Sequence, residues 1–193
     1  MDQPTMAGRL LVAAPMLQED SFRRSVVFVV DDTEEGTLGV ILNRPLGLPV
    51  ADVVIDWGAW ASEPAVMFSG GPVGTGSGIA LGVRGPDGPP PGWSPLEGVD
   101  PASGPAGIGV VDLDDPAPLS GTFLGGFRVF VGYAGWGAGQ LAGEIDEGAW
   151  YVLDAVVADV FTTDPGRLWS RVLRRQGGDL ALLSTYPDDP AMN

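Results

Sequence analysis

"GFRVFVGYAGWGAGQLAGEI", residues 126–145, decides how the chain is read. The apolar run from Phe127 to Val131 has the composition of a strand, and Gly132, Gly135, Gly137 and Gly139 follow it at once. Gly137, Gly139 and Ala142 match the G-x-G-x-x-A spacing of a dinucleotide-binding turn, and Asp159 stands about 20 residues on, where a ribose-binding acid belongs. Such a turn opens a βαβ unit whose helix must cross a sheet. Only the short "GQLAGEI" suits a helix here before the extended "AWYVLDA", so a doubly wound half-domain does not fit. The glycines are therefore read as a tight strand-to-helix turn in which backbones approach closely. Trp136 and Gln140 become the sharper question: an indole and an amide in such a turn are either buried with satisfied N–H groups or displayed to something else.

The chemical absences narrow the function. The 193 residues include no Cys and no His, and all ten basic residues are Arg. That excludes Ser-His-Asp triads, thiol nucleophiles, zinc held by His or Cys, a Walker lysine and a Schiff base. Carboxylates and three tyrosines remain for acid-base work, and no cofactor or metal is expected. The net charge of −15, shared by both halves of the chain, makes direct nucleic-acid binding a poor prospect. The leading segment "MDQPTMAGRLLVAAPML" has no basic lead before its short apolar stretch, and nothing approaches a membrane span. The expectation is a cytoplasmic protein that does not meet a membrane, folded as a single domain over 1–193.

"GRLLVAAP", "SVVFVVDD" and "TLGVILNRP" read as strands, the last two joined as a hairpin through "DDTEEG". "PVADVVIDWGAW" has Val50, Val53, Val54 and Trp57 at helical spacing. "AVMFSGGPV" is a short strand entering a double-glycine turn, with "GIALGV" as its return strand. Residues 84–107, rich in Pro and Gly, are expected to form a long surface loop. "AGIGVVDL" is a further strand. "TTDPGRLWSRVLRRQGG" is the clearest helix, with Asp164 as cap, Pro165 at its first turn and Gly177-Gly178 at its end. The tail, 187–193, is expected to fray. The whole reads as strand-rich α+β.

Other candidates stand beside bland readings. "SGGPVGTGSG" offers an anion-binding nest or a bare turn. Asp31, Asp32, Glu34 and Glu35, and likewise Asp112, Asp114 and Asp115, are oxygen donors for a divalent cation or solvated turns. On the last helix Arg167, Arg171, Arg174 and Arg175 fall on one stripe, a contact for an acidic partner or a solvated face paired with acids.

Read in order, "GRLLVAAPML…DSFRRSVVFVV", "EEGTLGVILNRP", "FSGGPV", "RVFVGYAGWGAGQLAGEI" and "AWYV" resemble the YqgE/AlgH family of bacterial proteins across nearly the whole chain. The resemblance implies a single α+β domain with a bifurcated, partly barrel-like mixed sheet flanked by about three helices. It implies no reaction, and one branch of the family is linked to transcriptional regulation of alginate production. Asp31-Asp32 and Gly82-Val83 stand where many members carry histidines.

Two functional readings result. The leading one is a non-enzymatic protein acting through a protein partner, with Arg24, Asn43, Arg44, Gly70, Gly71, Pro72, Tyr133, Trp136, Gly137, Gly139 and Gln140 as one surface or structural hub. The rival is a phosphate or nucleotide binder, or an enzyme, using the glycine turns with an Arg and a carboxylate-held Mg²⁺. It requires the turns and an Arg to converge on one pocket.

Overall fold

The computed structural model describes residues 5–100, 102–118 and 124–187. In chain order it contains β1 (Arg9–Ala13), β2 (Val26–Thr33), β3 (Gly36–Ile41), β4 (Pro45–Pro49), α1 (Val50–Val53), β5 (Val66–Ser69), β6 (Val73–Arg84), β7 (Trp93–Pro95) and β8 (Ile108–Val111). After these come β9 (Leu124–Gly137), α2 (Gln140–Asp146), β10 (Trp150–Asp154), α3 (Val157–Val160), α4 (Leu168–Gln176) and α5 (Gly178–Leu183). The strands join in one sheet, ordered β10-β1-β2-β3-β9-β6-β8-β7, with β4 and β5 off this path. Pairing is antiparallel except between β5 and β9, so the α+β fold carries a mixed sheet, which curls into an open half-barrel.

The opening stretch supplies the fork. Strand β9 does not stop at its glycines: it runs to Gly137, so only Ala138 and Gly139 turn into α2. The expected tight turn is thereby corrected to a long strand that changes partners. Residues 36–39 of β3 pair with 134–137 of β9, whereas Phe68 and Ser69 of β5 pair with Phe130 and Val131. Two strands thus share one edge of β9, and Ile41 N–H donates to Gly70 O (2.8 Å) across the gap. Glycine permits this crossing. A side chain on Gly70 would strike the Gly132 carbonyl, and one on Gly71 would strike the Tyr133 carbonyl.

Period two explains why β1, β2 and β3 lack polar alternation. Leu10, Val12, Val26, Phe28, Val40 and Leu42 face a core with Leu168, Trp169, Val172 and Leu173 of α4. Their neighbours Leu11, Ala13, Val27, Val29 and Ile41 face a second core with Trp136, Leu141 and Trp150. Both faces are covered, so both must be apolar.

Four further expectations change. β6 is not the return strand of β5: it pairs with β9 and β8. The helix from Val50 is a single turn followed by a 3-10 turn, Ile55–Trp60, which buries Val50 and Trp57 but leaves Val53 exposed. The 84–107 segment is partly ordered inward, with β7 and a buried Leu96. Asp164 caps with its carbonyl, to Arg167 N–H, and not with its side chain. Apart from Pro187, the 187–193 tail lies outside the described residues.

Candidate functional site

The connection from Ala14 to Ser25, between β1 and β2, is a strap, and some of the predicted residues, Arg24, Asn43 and Arg44, meet it directly. Arg44, just beyond β3, donates from Nη1 to Asp20 O and from Nη2 to Arg23 O, both at 3.1 Å. Burial and the nearby Arg23 lower the Arg44 pKa, against an opposing pull from Asp20. Asn43 accepts Val26 N–H at 3.0 Å and donates to Arg24 O at 2.9 Å, closing the strap where β2 begins. Arg24, at φ 55°, lays its guanidinium 4.1 Å from the Trp169 ring centre and donates to Tyr186 O. The basic groups predicted for a ligand thus hold backbone carbonyls instead.

Phe22 pins the middle of the strap. Its ring stacks on Trp136 (6.0 Å) and meets Trp150 edge-on (5.5 Å). Both indoles donate to Glu144 Oε2, at 2.9 and 2.8 Å, and Gln140 Nε2 donates to Oε1 at 2.9 Å. Gln140 also accepts Gly137 N–H through its own oxygen. The question about Trp136 and Gln140 is therefore answered: the indole is buried with a satisfied N–H, and the amide closes the network around Glu144. Glu144 and Trp150 escaped sequence reading, although Gln140 and Glu144 at i and i+4 on one helix face are a readable sign.

The glycine turns do not join this cluster as a cradle. Gly70 and Gly71 cross Gly132 and Tyr133 backbone to backbone at the fork, Pro72 is exposed, and Gly139 stands at φ 74° in open space. The Arg44 guanidinium is directed at the strap. Among the described residues no group of three or more acids is placed to hold a metal. Asp32 accepts Met6 N–H and Thr37 Oγ1–H, while Asp112 accepts Asp114 N–H in a local turn. A Cβ added at Gly82 would lie 2.8 Å from Leu124 and 2.9 Å from Val111.

The arginine stripe separates into different tasks. Arg175 grips both oxygens of the buried Asp159 at 2.9 and 2.8 Å, and that hydrogen bonding raises its pKa against the desolvation. Asp159, at the spacing of a ribose-binding acid, also accepts Val156 N–H. Arg171 donates to Thr162 Oγ1, Arg167 lies 3.8 Å from Asp164, and Arg174 is exposed.

Arg128, within β9, was missed. It is buried against Phe68, 4.2 Å from the ring centre, and donates to the carbonyls of Val160, Glu63 and Thr162 at 2.8–3.0 Å. Burial pushes its pKa down to about 10. A lone Arg inside "FRVFV" was the available signal.

A forked half-barrel with a pinned strap places the chain among the AlgH-like proteins, whose family model matches residues 10–181. The chain belongs to that family. It is 57% identical to a UPF0301 protein of Thermobifida fusca, over 100% of this chain and 98% of the relative, and 48% identical to one of Streptomyces coelicolor, over 98% and 96%. The crystal structure of a Corynebacterium diphtheriae protein matches with TM-score 0.84 at 30% identity, covering 96% of this chain and 94% of that one. The solution structure of the AlgH protein from Pseudomonas aeruginosa matches with TM-score 0.61 at 26% identity, covering 97% and 98%.

Proposed function

We propose that the chain is a non-enzymatic cytoplasmic protein that acts through a protein partner, and that the strap is its contact surface. One observation carries this: Met16 is 90% exposed on a strap that is held farther along, at Asp20, Phe22, Arg23 and Arg24, by Arg44, Asn43 and the Trp136–Trp150 pair. A large apolar side chain held out on a strap already tied at several points is suited to recognition, because less ordering entropy remains to be lost on binding. The family resemblance extends the reading to transcriptional regulation exerted through that partner. With a charge of −15, direct DNA contact is not the route.

The test places a photo-crosslinking amino acid at Met16, and separately at the exposed Leu182, in cells. A single protein captured from the Met16 position and not from Leu182, and lost on Arg44→Ala, is the expected result. Equal capture from both positions overturns the proposal. So does no capture at all combined with a saturable thermal shift from a small metabolite.

A further inference from the structure

Strand β10 stands at one end of the strand order, and its outer edge is open. Ala14 N–H donates to Ala149 O (2.9 Å), and in the same register Val12 faces Tyr151 and Leu10 faces Leu153. Antiparallel bonding alternates, so Ala149, Tyr151 and Leu153 bond β1 while Trp150, Val152 and Asp154 turn their backbone N–H and C=O groups outward. Arg175 agrees with this: its Nη2 donates to Asp154 O at 3.0 Å, a carbonyl that β1 does not hold. Among the described residues nothing takes the N–H and C=O of Trp150 and Val152, or the N–H of Asp154. The five pairs with β1 run without a bulge, so these groups form a straight row that repeats about every 7 Å.

The row is undefended. Exposed edges are usually blunted by proline, charge or shortness, as Pro45 and Pro49 blunt β4 and Pro95 blunts the three-residue β7. β10 reads WYVLD, with no proline, glycine or lysine. Tyr151 packs against the α4 core and Val152 against the Trp136 core, and both are only half-buried, so each face of the sheet stays apolar up to the open edge. The row also has definite ends. A Cβ on Gly104 would strike Ala155 O, so chain covers the edge beyond Asp154, and before Trp150 the backbone turns off at Gly148, φ 80°.

We propose that β10 pairs antiparallel with β10 of a second copy of this chain, about a two-fold axis at Val152. The axis sets Val152 opposite Val152 and Asp154 opposite Trp150, all of them outward positions. Four bonds close: Val152 N–H to Val152 O twice, and Asp154 N–H to Trp150 O twice. Tyr151 of one copy then lies across from Leu153 of the other, an aromatic and aliphatic pair on the α4 side. Charge favours the same arrangement. The exposed Asp146 and Glu147, ahead of β10, come beside the Arg175 end of the second copy, whereas parallel pairing would set acid on acid. The interface is isologous and closes at two chains. It offers five residues a side, and each copy carries −15, so the dimer is weak and concentration-dependent.

The chain contains no cysteine, so one introduced thiol reports the axis. Directly opposed, hydrogen-bonded residues stand about 5.5 Å apart at Cα, within disulfide range. Under mild oxidation Val152→Cys is expected to form a linked dimer at least about tenfold faster than Leu182→Cys, although Leu182 is the more exposed at 71%. Sedimentation of the wild type up to about 1 mM should show the mass rising toward two chains. In the concentrated sample the Val152 and Asp154 amides should exchange more slowly, while those of Tyr151 and Leu153, already bonded to β1, keep their rates. Val152→Lys sets two cations face to face and should abolish the rise in mass with the far-UV signal retained; if it fails to fold, the crosslinking and the exchange pattern decide. Met16→Glu should leave the dimer unchanged. A monomer at every concentration, a dimer without added protection at Val152 and Asp154, equal crosslinking from Leu182, or loss of the dimer on Met16→Glu overturns the proposal.

Discussion

Trp136 and Trp150 donate their indole N–H groups to the same carboxylate oxygen, Glu144 Oε2, from two strands on either side of α2. One acid thus ties the end of β9 to the start of β10 and sets the aromatic pair that receives Phe22. Glu144→Ala orphans two donors on buried rings and should cost about 2–4 kcal/mol. Glu144→Gln keeps an acceptor oxygen at that place and should lose less than half as much. Urea unfolding followed by tryptophan emission compares them, and equal losses would show that the shared oxygen is not what holds the pair.

Arg44 acts on the strap rather than on the core. Its two bonds to Asp20 and Arg23 run across 24 and 21 residues, and the side chain is half-buried. Arg44→Ala should lower global stability by only about 1 kcal/mol. Amide exchange and proteolysis within residues 14–25 should accelerate well beyond that global change. Faster exchange spread evenly over β1, β2 and β3 would place Arg44 in the core instead.

What could be read in advance was local. The runs in β1, β2 and β3 announce strands because each has both faces buried, and α4 announces itself because Leu168, Trp169, Val172 and Leu173 repeat at helical spacing. The strap could not be read, because a guanidinium that seeks a carbonyl has the same one-letter symbol as one that seeks a phosphate. The glycines of β9 misled for a related reason. Glycine serves a turn and a backbone crossing equally well, and only β5, sixty residues away, shows that a crossing is needed. Asp159 is the same lesson for an acid: its partner Arg175, 16 residues on, is evident only once α4 packs.

That partnership is itself testable. Asp159 is buried and Arg175 is partly exposed, so removing the cation leaves the more costly orphan. Arg175→Met should destabilise by about 2–4 kcal/mol, more than Asp159→Asn, which removes the buried charge, leaves the cation on the partner that reaches solvent and retains an acceptor for Val156 N–H. Thermal unfolding of both variants in low and high salt decides the order, and a reversed order would mean that Arg175 contributes little.

Glycine substitutions separate crossing from cradling. Gly71→Ala thrusts a methyl group onto the Tyr133 carbonyl at the fork, and Gly139→Ala meets only its own left-handed backbone. The second should cost about 1 kcal/mol, and the first should cost several times that or prevent folding. Gly139→Ala keeps the comparison informative if Gly71→Ala is insoluble. Comparable, small losses in both would remove the close-approach account of Gly70 and Gly71.

Arg128 offers the last discrimination, between a buried cation that is tolerated and one that organises its surroundings. It joins β9 to the carbonyls of Glu63, Val160 and Thr162, which come from two segments 65 and 32–34 residues away. Arg128→Met relieves the burial of charge but strands three acceptors at about 1–3 kcal/mol each, so a net loss is expected. The pH dependence has a definite sign. The folded-state pKa, about 10, lies below the ordinary guanidinium value, so only above pH 10 does the unfolded chain hold the extra proton, and there stability gains as pH rises. Below that window the group is charged in both states. The difference in unfolding free energy between wild type and Arg128→Met should accordingly stay flat from about pH 6 to about pH 9. A difference that varies across that interval would mean that Arg128 is coupled to a group titrating there, and that its three carbonyls do not account for its role.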